Sequence, residues 1–462
     1  MGETHLRQRR QTVKLGLIKV VQDLFPEEKL KTAYSMQDGV FCKLTDSALS
    51  KREVKLIEQR LCEWVDQDDP IEFLYKKDGY FQYKLGNRVI KAVYPAGTRA
   101  SMVEPFHIHP FSEGFIVDFS KPEVGETDFI FPRKLAETYS KAQRWLDNLD
   151  LELVGDVNTF ITSGRGAELI SIAEALQEKE IADIADVILQ QRRAVRVVLI
   201  SGPSSSGKTT FVQRLATQLF VNGMKPISLS LDDYFVDRKN SPKDANGRYD
   251  FEALETIDLP FLQQQIAQLA AGETVETPLY DFAAGRRADK TKTLRLGPME
   301  ILLIEGIHAL DPKLAPAISR NLLFKIYISA LFELNIDLTN RIPTTEVRLL
   351  RRMVRGDCFR GTSPDVTLNQ WDSVRRGENN YIFKYREDAE VMFNSSLLYE
   401  MNALRPFAET ALKKIQVHDS ASHYDTRERL MNLLAFFQPL GADKVPFNSI
   451  LREFIGNSIY SL

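Results

Sequence analysis

Val195-Arg196-Val197-Val198-Leu199-Ile200-Ser201-Gly202-Pro203-Ser204-Ser205-Ser206-Gly207-Lys208-Thr209-Thr210 is the stretch that decides the fold. Its first half is a short, nearly continuous apolar run, the pattern of a strand buried on both faces. From Gly202 to Thr209 it fits G-x-x-x-x-G-K-[ST] in full. Beyond it, Phe211, Val212, Leu215, Ala216, Leu219 and Phe220 form the apolar face of a helix that Gly223 is placed to stop. Strand, glycine-rich turn and helix together make a phosphate cradle. The glycines allow a tight turn, so that backbone N–H groups and the helix N-terminus point at phosphate oxygens. Lys208 supplies a point charge near the β- and γ-phosphates, and the Thr209 hydroxyl is placed to coordinate Mg²⁺. Gly202, Pro203, Ser204, Ser205, Ser206, Gly207, Lys208, Thr209 and Thr210 are the expected contacts to ATP.

Outward from this point, Pro226–Leu231, Ile301–Ile304 and Leu322–Ile328 read as further strands, each followed by helix-compatible sequence. Strands alternating with helices predict an α/β domain, a parallel sheet flanked by helices, over 194–420. Before it, Leu169, Ile172, Ala173 and Leu176, then Ile181, Ile184, Ala185 and Ile188, keep helical spacing and suggest a helical connector over 131–193. Residues 1–130 carry aromatic, strand-like runs such as Glu72–Tyr75 and Gly79–Tyr83, and are expected to form an α+β accessory domain. Residues 421–462 read as a helical tail that includes Phe447–Phe454.

Composition narrows the function classes. The chain has 462 residues, 44% apolar and 27% charged, as expected of a globular protein with ample core. Sixty basic and 63 acidic residues leave a net charge of −3, which argues against nucleic acid as a partner. Three widely spaced cysteines exclude a disulfide framework and suggest a cytoplasmic compartment. No signal peptide, myristoylation motif or membrane-spanning run is read. A homo-oligomer is left open.

Further motifs follow the cradle in order: Ser228-Leu229-Ser230-Leu231-Asp232-Asp233-Tyr234-Phe235, Tyr249-Asp250-Phe251, Pro278-Leu279-Tyr280-Asp281-Phe282 and Ile304-Glu305-Gly306-Ile307. An arginine-rich segment, Arg348 to Arg355, continues to Phe359-Arg360-Gly361. Over about 195–400 the chain resembles the uridine kinase branch of the phosphoribulokinase/uridine kinase family. Phosphoryl transfer to a hydroxyl needs a carboxylate near the γ-phosphate to take the proton. Asp232, at the end of an apolar strand, is the best placed, and the resemblance makes it the general base; Asp233 and a helix-capping role are the alternatives. Glu305 emerges at a strand's carboxyl edge, and the resemblance implies that it helps to hold Mg²⁺. Alone, the arginines would read as a solvated face. The resemblance instead puts Arg355 and Arg360 on the transferring phosphate, where a planar fork suits phosphate oxygens.

The resemblance also implies that Asp250 binds ribose hydroxyls and that Tyr280, Arg352 and Gln370 contact the acceptor. Two departures stand out. Uridine kinases carry a histidine after the Tyr-Asp-Phe run, whereas this chain continues Ala283-Ala284-Gly285. Their Arg-Gly-Arg becomes Arg360-Gly361-Thr362. The expected function is therefore ATP-dependent phosphorylation of a hydroxyl on a small molecule, with a nucleoside, sugar or polyol as acceptor. The alternative is a nucleotide-dependent RNA-binding or regulatory protein.

That alternative comes from residues 20–120. Asp23-Leu24-Phe25-Pro26, Asp38-Gly39-Val40-Phe41 and Asp66-Gln67-Asp68-Asp69-Pro70-Ile71 resemble the additional N-terminal domain of threonyl-tRNA synthetases. The editing version needs His-x-x-x-His and Cys-x-x-x-His, and neither occurs. His107-Ile108-His109 is a weak metal pair without a third ligand.

Overall fold

The computed structural model describes residues 3–36, 38–120, 131, 133–191, 194–244, 247–282, 284–416 and 420–460. The domain boundaries expected at 130 and 193 fall on residues outside these, as does Ala283.

The first region opens with α1 (Glu3–Leu24), β1 (Leu30–Met36), β2 (Gly39–Leu44) and α2 (Lys51–Asp66). It continues through β3 (Glu72–Lys77), β4 (Tyr80–Leu85), β5 (Arg88–Ala92), β6 (His107–Phe111) and β7 (Gly114–Asp118). The strands form two antiparallel sheets, ordered β1-β2-β7-β6 and β3-β4-β5. Ser50 and Glu53 close a reciprocal capping box at the start of α2. Val54, Ile57, Leu61 and Trp64 of α2 share one apolar core with Val13, Leu17 and Val21 of α1 and with Phe115 and Val117 of β7.

Three helices follow, α3 (Arg133–Asn148), α4 (Val154–Thr162) and α5 (Gly166–Gln190). Next come β8 (Val197–Ser201), α6 (Lys208–Val221), β9 (Lys225–Ser230), α7 (Leu259–Ala270), β10 (Thr274–Asp281), β11 (Arg286–Arg295), β12 (Glu300–Glu305) and β13 (Leu323–Ser329). The chain ends with α8 (Thr344–Phe359), α9 (Pro364–Gly377), β14 (Val391–Asn394), α10 (Glu400–Leu412), α11 (Ala421–Leu434) and α12 (Arg452–Ile455). Five strands pair in parallel in the order β14-β13-β8-β12-β9. The continuous apolar run of β8 now has its reason: Val198 and Ile200 face one core, Val197 and Leu199 face the other. Ile301 and Leu303 alternate with Leu302 and Ile304 on β12 in the same way. Central β8 lies between β12 and β13, which follow it in sequence on opposite sides. The glycine-rich turn thus leaves the sheet where its strand order reverses, the usual ligand crevice of such sheets.

Some expectations fail locally. Phe220 is 66% exposed and lies off the buried face of α6. Gly223 does end that helix: at φ +78° it lets its own N–H and that of Met224 reach the carbonyls of Phe220 and Leu219. No helix directly follows β9; a 3-10 turn, Leu231–Tyr234, leads into a loop. The β10–β11 hairpin went unread because β11 is almost wholly polar and exposed, with only Leu294 buried. β14 went unread because four residues carry no period. Within Phe447–Phe454 only Arg452 onward is helical. There the Ser449 hydroxyl accepts from Leu451 N–H (3.1 Å), a local bond that competes with helix.

Candidate active site

The cradle is held by close packing. A side chain on Gly202 would strike the Ile328 carbonyl, and one on Gly207, at φ +83°, would come within 2.6 Å of Ile450 Cγ2. Ser205 is also held in the left-handed region, at φ 58°, a strained conformation of the kind found at functional sites. Lys208 Nζ donates to the carbonyls of Gly202 (2.9 Å) and Pro203 (3.1 Å). Thr209 is half-buried, and the buried Ser206 Oγ has no hydrogen-bond partner.

Asp232 stands in the 3-10 turn after β9, and Glu305 ends β12, the neighbouring strand. Burial pushes the Asp232 carboxyl up, opposed by Lys208, Arg360 and Arg355. Burial, with Asp232 beside it, pushes Glu305 up to about 7, although Ser230 Oγ donates to it at 3.0 Å. Lys208 is pulled down by the same burial, against the fields of Glu305 and Asp232. Asp233 is used differently: its Oδ1 accepts from the Tyr280 N–H at 3.2 Å, tying the turn to β10. It caps no helix.

The arginines of α8 do not form a solvated face. Arg348, Arg351, Arg352 and Arg355 follow i, i+3, i+4, i+7 spacing and all reach the cradle. Arg348 Nε donates to Ser204 O (3.0 Å), Arg351 to Ser205 O (3.4 Å), Arg352 to Ser204 Oγ (2.7 Å) and Arg355 to Ser205 Oγ (3.2 Å). Arg348 and Arg351 are only 1% exposed and pair with buried Glu378 and Glu400. They brace the turn. Arg352 also donates to Gln370 Oε1 (3.1 Å), which joins two expected acceptor contacts. Arg360 is exposed at the end of α8, within the field felt by Asp232.

Asp250 and Tyr280 share no hydrogen bond. Asp250 Oδ1 accepts from Glu252 N–H (3.2 Å), and the Tyr280 ring meets Phe235 and Phe282 edge-on, at centroid distances of 5.6 and 5.2 Å. Arg238 packs against Gly285 and donates to Phe282 O (2.7 Å). Arg287 is occupied by Tyr234 O and Asp258.

Sequence reading missed two carboxylates. Glu252 is pushed up to about 7 by burial, against the fields of Arg352, Lys208 and Arg348, and its Oε2 has no hydrogen-bond partner. Its place two residues after Asp250 was the available signal. Glu453 in α12 accepts from Arg355 (2.9 Å) and from the N–H and Oγ of Thr210 (3.3 and 3.2 Å). No local pattern marks Glu453, which reaches the cradle from 243 residues further along the chain.

The model of the phosphoribulokinase/uridine kinase family matches residues 197–398. A uridine kinase of Staphylococcus aureus (strain JH9) is 30% identical over 185 residues, covering 40% of this chain and 79% of that protein. The chain belongs to the phosphoribulokinase/uridine kinase family. Membership places it among small-molecule kinases. Similar solved structures include a possible uridine kinase from Bacillus stearothermophilus, 21% identical, with 46% of this chain and 100% of that one covered at a TM-score of 0.29. Another is D-glycerate 3-kinase from Cryptococcus neoformans var. grubii, 16% identical, with 45% and 87% covered at a TM-score of 0.30. The family match does not extend to residues 1–196. Among the described residues no group of three His, Cys, Asp or Glu could hold a metal, and no helix is long and apolar enough to cross a membrane. His107 and His109 lie on β6 with ring centroids 6.4 Å apart, and His109 Nε2 is 3.5 Å from Asp118.

Proposed function

We propose that the chain transfers the γ-phosphate of ATP to a hydroxyl of a small molecule, working in the cytoplasm. The observation that carries this reading is the crowding of half-buried Asp232, Glu305 and Lys208 in one another's fields beside the cradle. Asp232 takes the hydroxyl proton as the oxygen attacks in line. Lys208, Arg355 and Arg360 offset charge that develops on the transferring group. Thr209 and Glu305 would hold Mg²⁺. Their hydroxyl and carboxylate oxygens suit a hard cation that keeps few protein ligands. When bound, Mg²⁺ offsets the charge of the phosphates.

Asp250, Tyr280, Arg352 and Gln370 are the proposed acceptor contacts, and pyrimidine nucleosides are expected to be poor acceptors. Gly285 and Thr362 stand where uridine kinases place base-gripping side chains. Each lost bond to a charged group costs about 1.5–3 kcal/mol. Two such losses lower kcat/KM for uridine by roughly two or more orders of magnitude. An ATP-consumption screen of nucleosides, sugars and polyols tests both statements. Turnover that needs an acceptor supports the kinase, and uridine as the best acceptor would overturn the specificity reading.

Residues 1–130 act as an accessory module without hydrolytic editing, 131–193 as a helical connector to the kinase domain at 194–420, and 421–462 as a tail on that domain. The resemblance of 20–120 to the synthetase domain supports the first assignment. Deacylation of mischarged threonine tRNA by the full chain, above a buffer control, would refute the absence of editing.

A further inference from the structure

A cavity of about 590 Å³ lies away from the cradle, between α1, the β1-β2-β7 sheet, the start of α8 and the end of α9. Its charge is unbalanced in one place. At its edge Arg10 pairs with Asp38 and Arg376 with Asp244. Arg341 and Lys14 are different. Arg341 is 8% exposed; its Nη1 donates to Ser35 Oγ, while Nε and Nη2 have no partner. Lys14 Nζ donates to Asn340 Oδ1 at 2.7 Å, and neither cation forms an ion pair among the described residues. The acid nearest in effect, Asp337, is held by Asn340 and Thr339. Burial pulls Lys14 down to about 8 and Arg341 to about 10. Gln11 Nε2, also buried, has no partner. The N-terminus of α8, sixteen residues long and without a side-chain cap, opens on the same space through Thr344 and Thr345. Leu17, Val40, Val117 and Phe119 supply apolar wall.

We propose that this cavity binds a small organic anion, an apolar body carrying a phosphate or a carboxylate, with Arg341 and Lys14 as its charge partners. A buried guanidinium without an ion pair is costly, and an anion held between Arg341, Lys14 and a helix N-terminus lowers that cost. A guanidinium edge with Nε and Nη2 both unpartnered is the geometry that grips two oxygens of one group. The volume lies within the range of small-molecule sites and leaves room for a body larger than inorganic phosphate.

The test uses the full chain carrying Lys208→Ala, so that binding at the cradle is weakened and any remaining there is separated by its insensitivity to Arg341→Met; the kinase reading is not at stake. Phenyl phosphate, benzoate and, as a neutral control, benzyl alcohol are titrated by calorimetry and thermal melting. Saturable binding of at least one of the two anions is expected, weakened at least tenfold by adding Arg341→Met, with none for benzyl alcohol. The tighter of the two probes identifies the anionic group. If Arg341→Met melts without cooperativity, Lys14→Met carries the same expectation. Failure of both anions to bind, equal binding by the Arg341→Met or Lys14→Met protein, or equal binding of the alcohol would overturn the proposal.

Discussion

The two ends of α8 treat buried cations in opposite ways. Toward the cradle, Arg348, Arg351 and Arg355 are matched by Glu378, Glu400 and Glu453. Toward the N-terminal sheets, Arg341 has no ion pair among the described residues and Lys14 has only the field of Asp337. Matched charge holds a backbone turn in one shape, whereas unmatched charge is stable only if something else supplies the balance. Two glutamates repeat the contrast. Glu305, next to another acid, is pushed up to about 7. Burial also opposes ionisation of Glu346, but Arg429 and Arg7 outweigh it and hold the carboxyl at about 2.

The largest effect should come from the kinase end. Asp232→Asn is expected to lower kcat by about two to four orders of magnitude while sparing ATP affinity, because a general base acts only in the transition state. Lys208→Ala should instead weaken both binding and turnover. Steady-state kinetics with calorimetry separates the two, and normal turnover by Asp232→Asn would falsify the choice of base.

Next in size is the junction between the regions. Glu346→Ala leaves Arg7 and Arg429 without their shared carboxylate, which should cost about 3–5 kcal/mol of stability. Urea unfolding measures it. A change below about 1 kcal/mol would mean that the two regions are joined by packing and not by this triad.

Stability against pH sharpens the contrast between the glutamates. The raised Glu305 carboxyl contributes stability that is complete below its ordinary value of 4.5 and is lost as the pH rises through about 7. The lowered Glu346 carboxyl does the reverse: its contribution is complete above about 4.5 and is lost as the pH falls toward about 2. In Mg²⁺-free buffer, Glu305→Gln should therefore flatten the melting-temperature profile between pH 4.5 and 7, and Glu346→Gln the acid limb. Profiles unchanged by both substitutions would remove the contrast.

The smallest effect is expected at His107, exposed on β6. His107→Ala should shift stability by no more than about 0.5 kcal/mol, with or without added zinc. A zinc-dependent rise in melting temperature that this substitution abolishes would give the strand a metal role.

Sequence alone determined the features whose physics is local. A phosphate cradle is built from consecutive backbone N–H groups, so Gly202 to Thr209 had to appear as one string, and a strand buried on both faces had to be apolar throughout. Four strands of the five-strand sheet were legible through such runs, and β14 was not. The β10–β11 hairpin, whose exposed residues carry no apolar period, was not. Tertiary structure alone decided the groups that act across the chain. Nothing near Asp232 says that Asp233 is tied to β10, and nothing in Phe447–Phe454 says that Glu453 reaches Thr210. Nor do residues 14 and 341, read separately, announce a shared cavity. Burial and charge balance are sums over neighbours in space, and the order of residues along the chain does not contain those sums until the chain has folded.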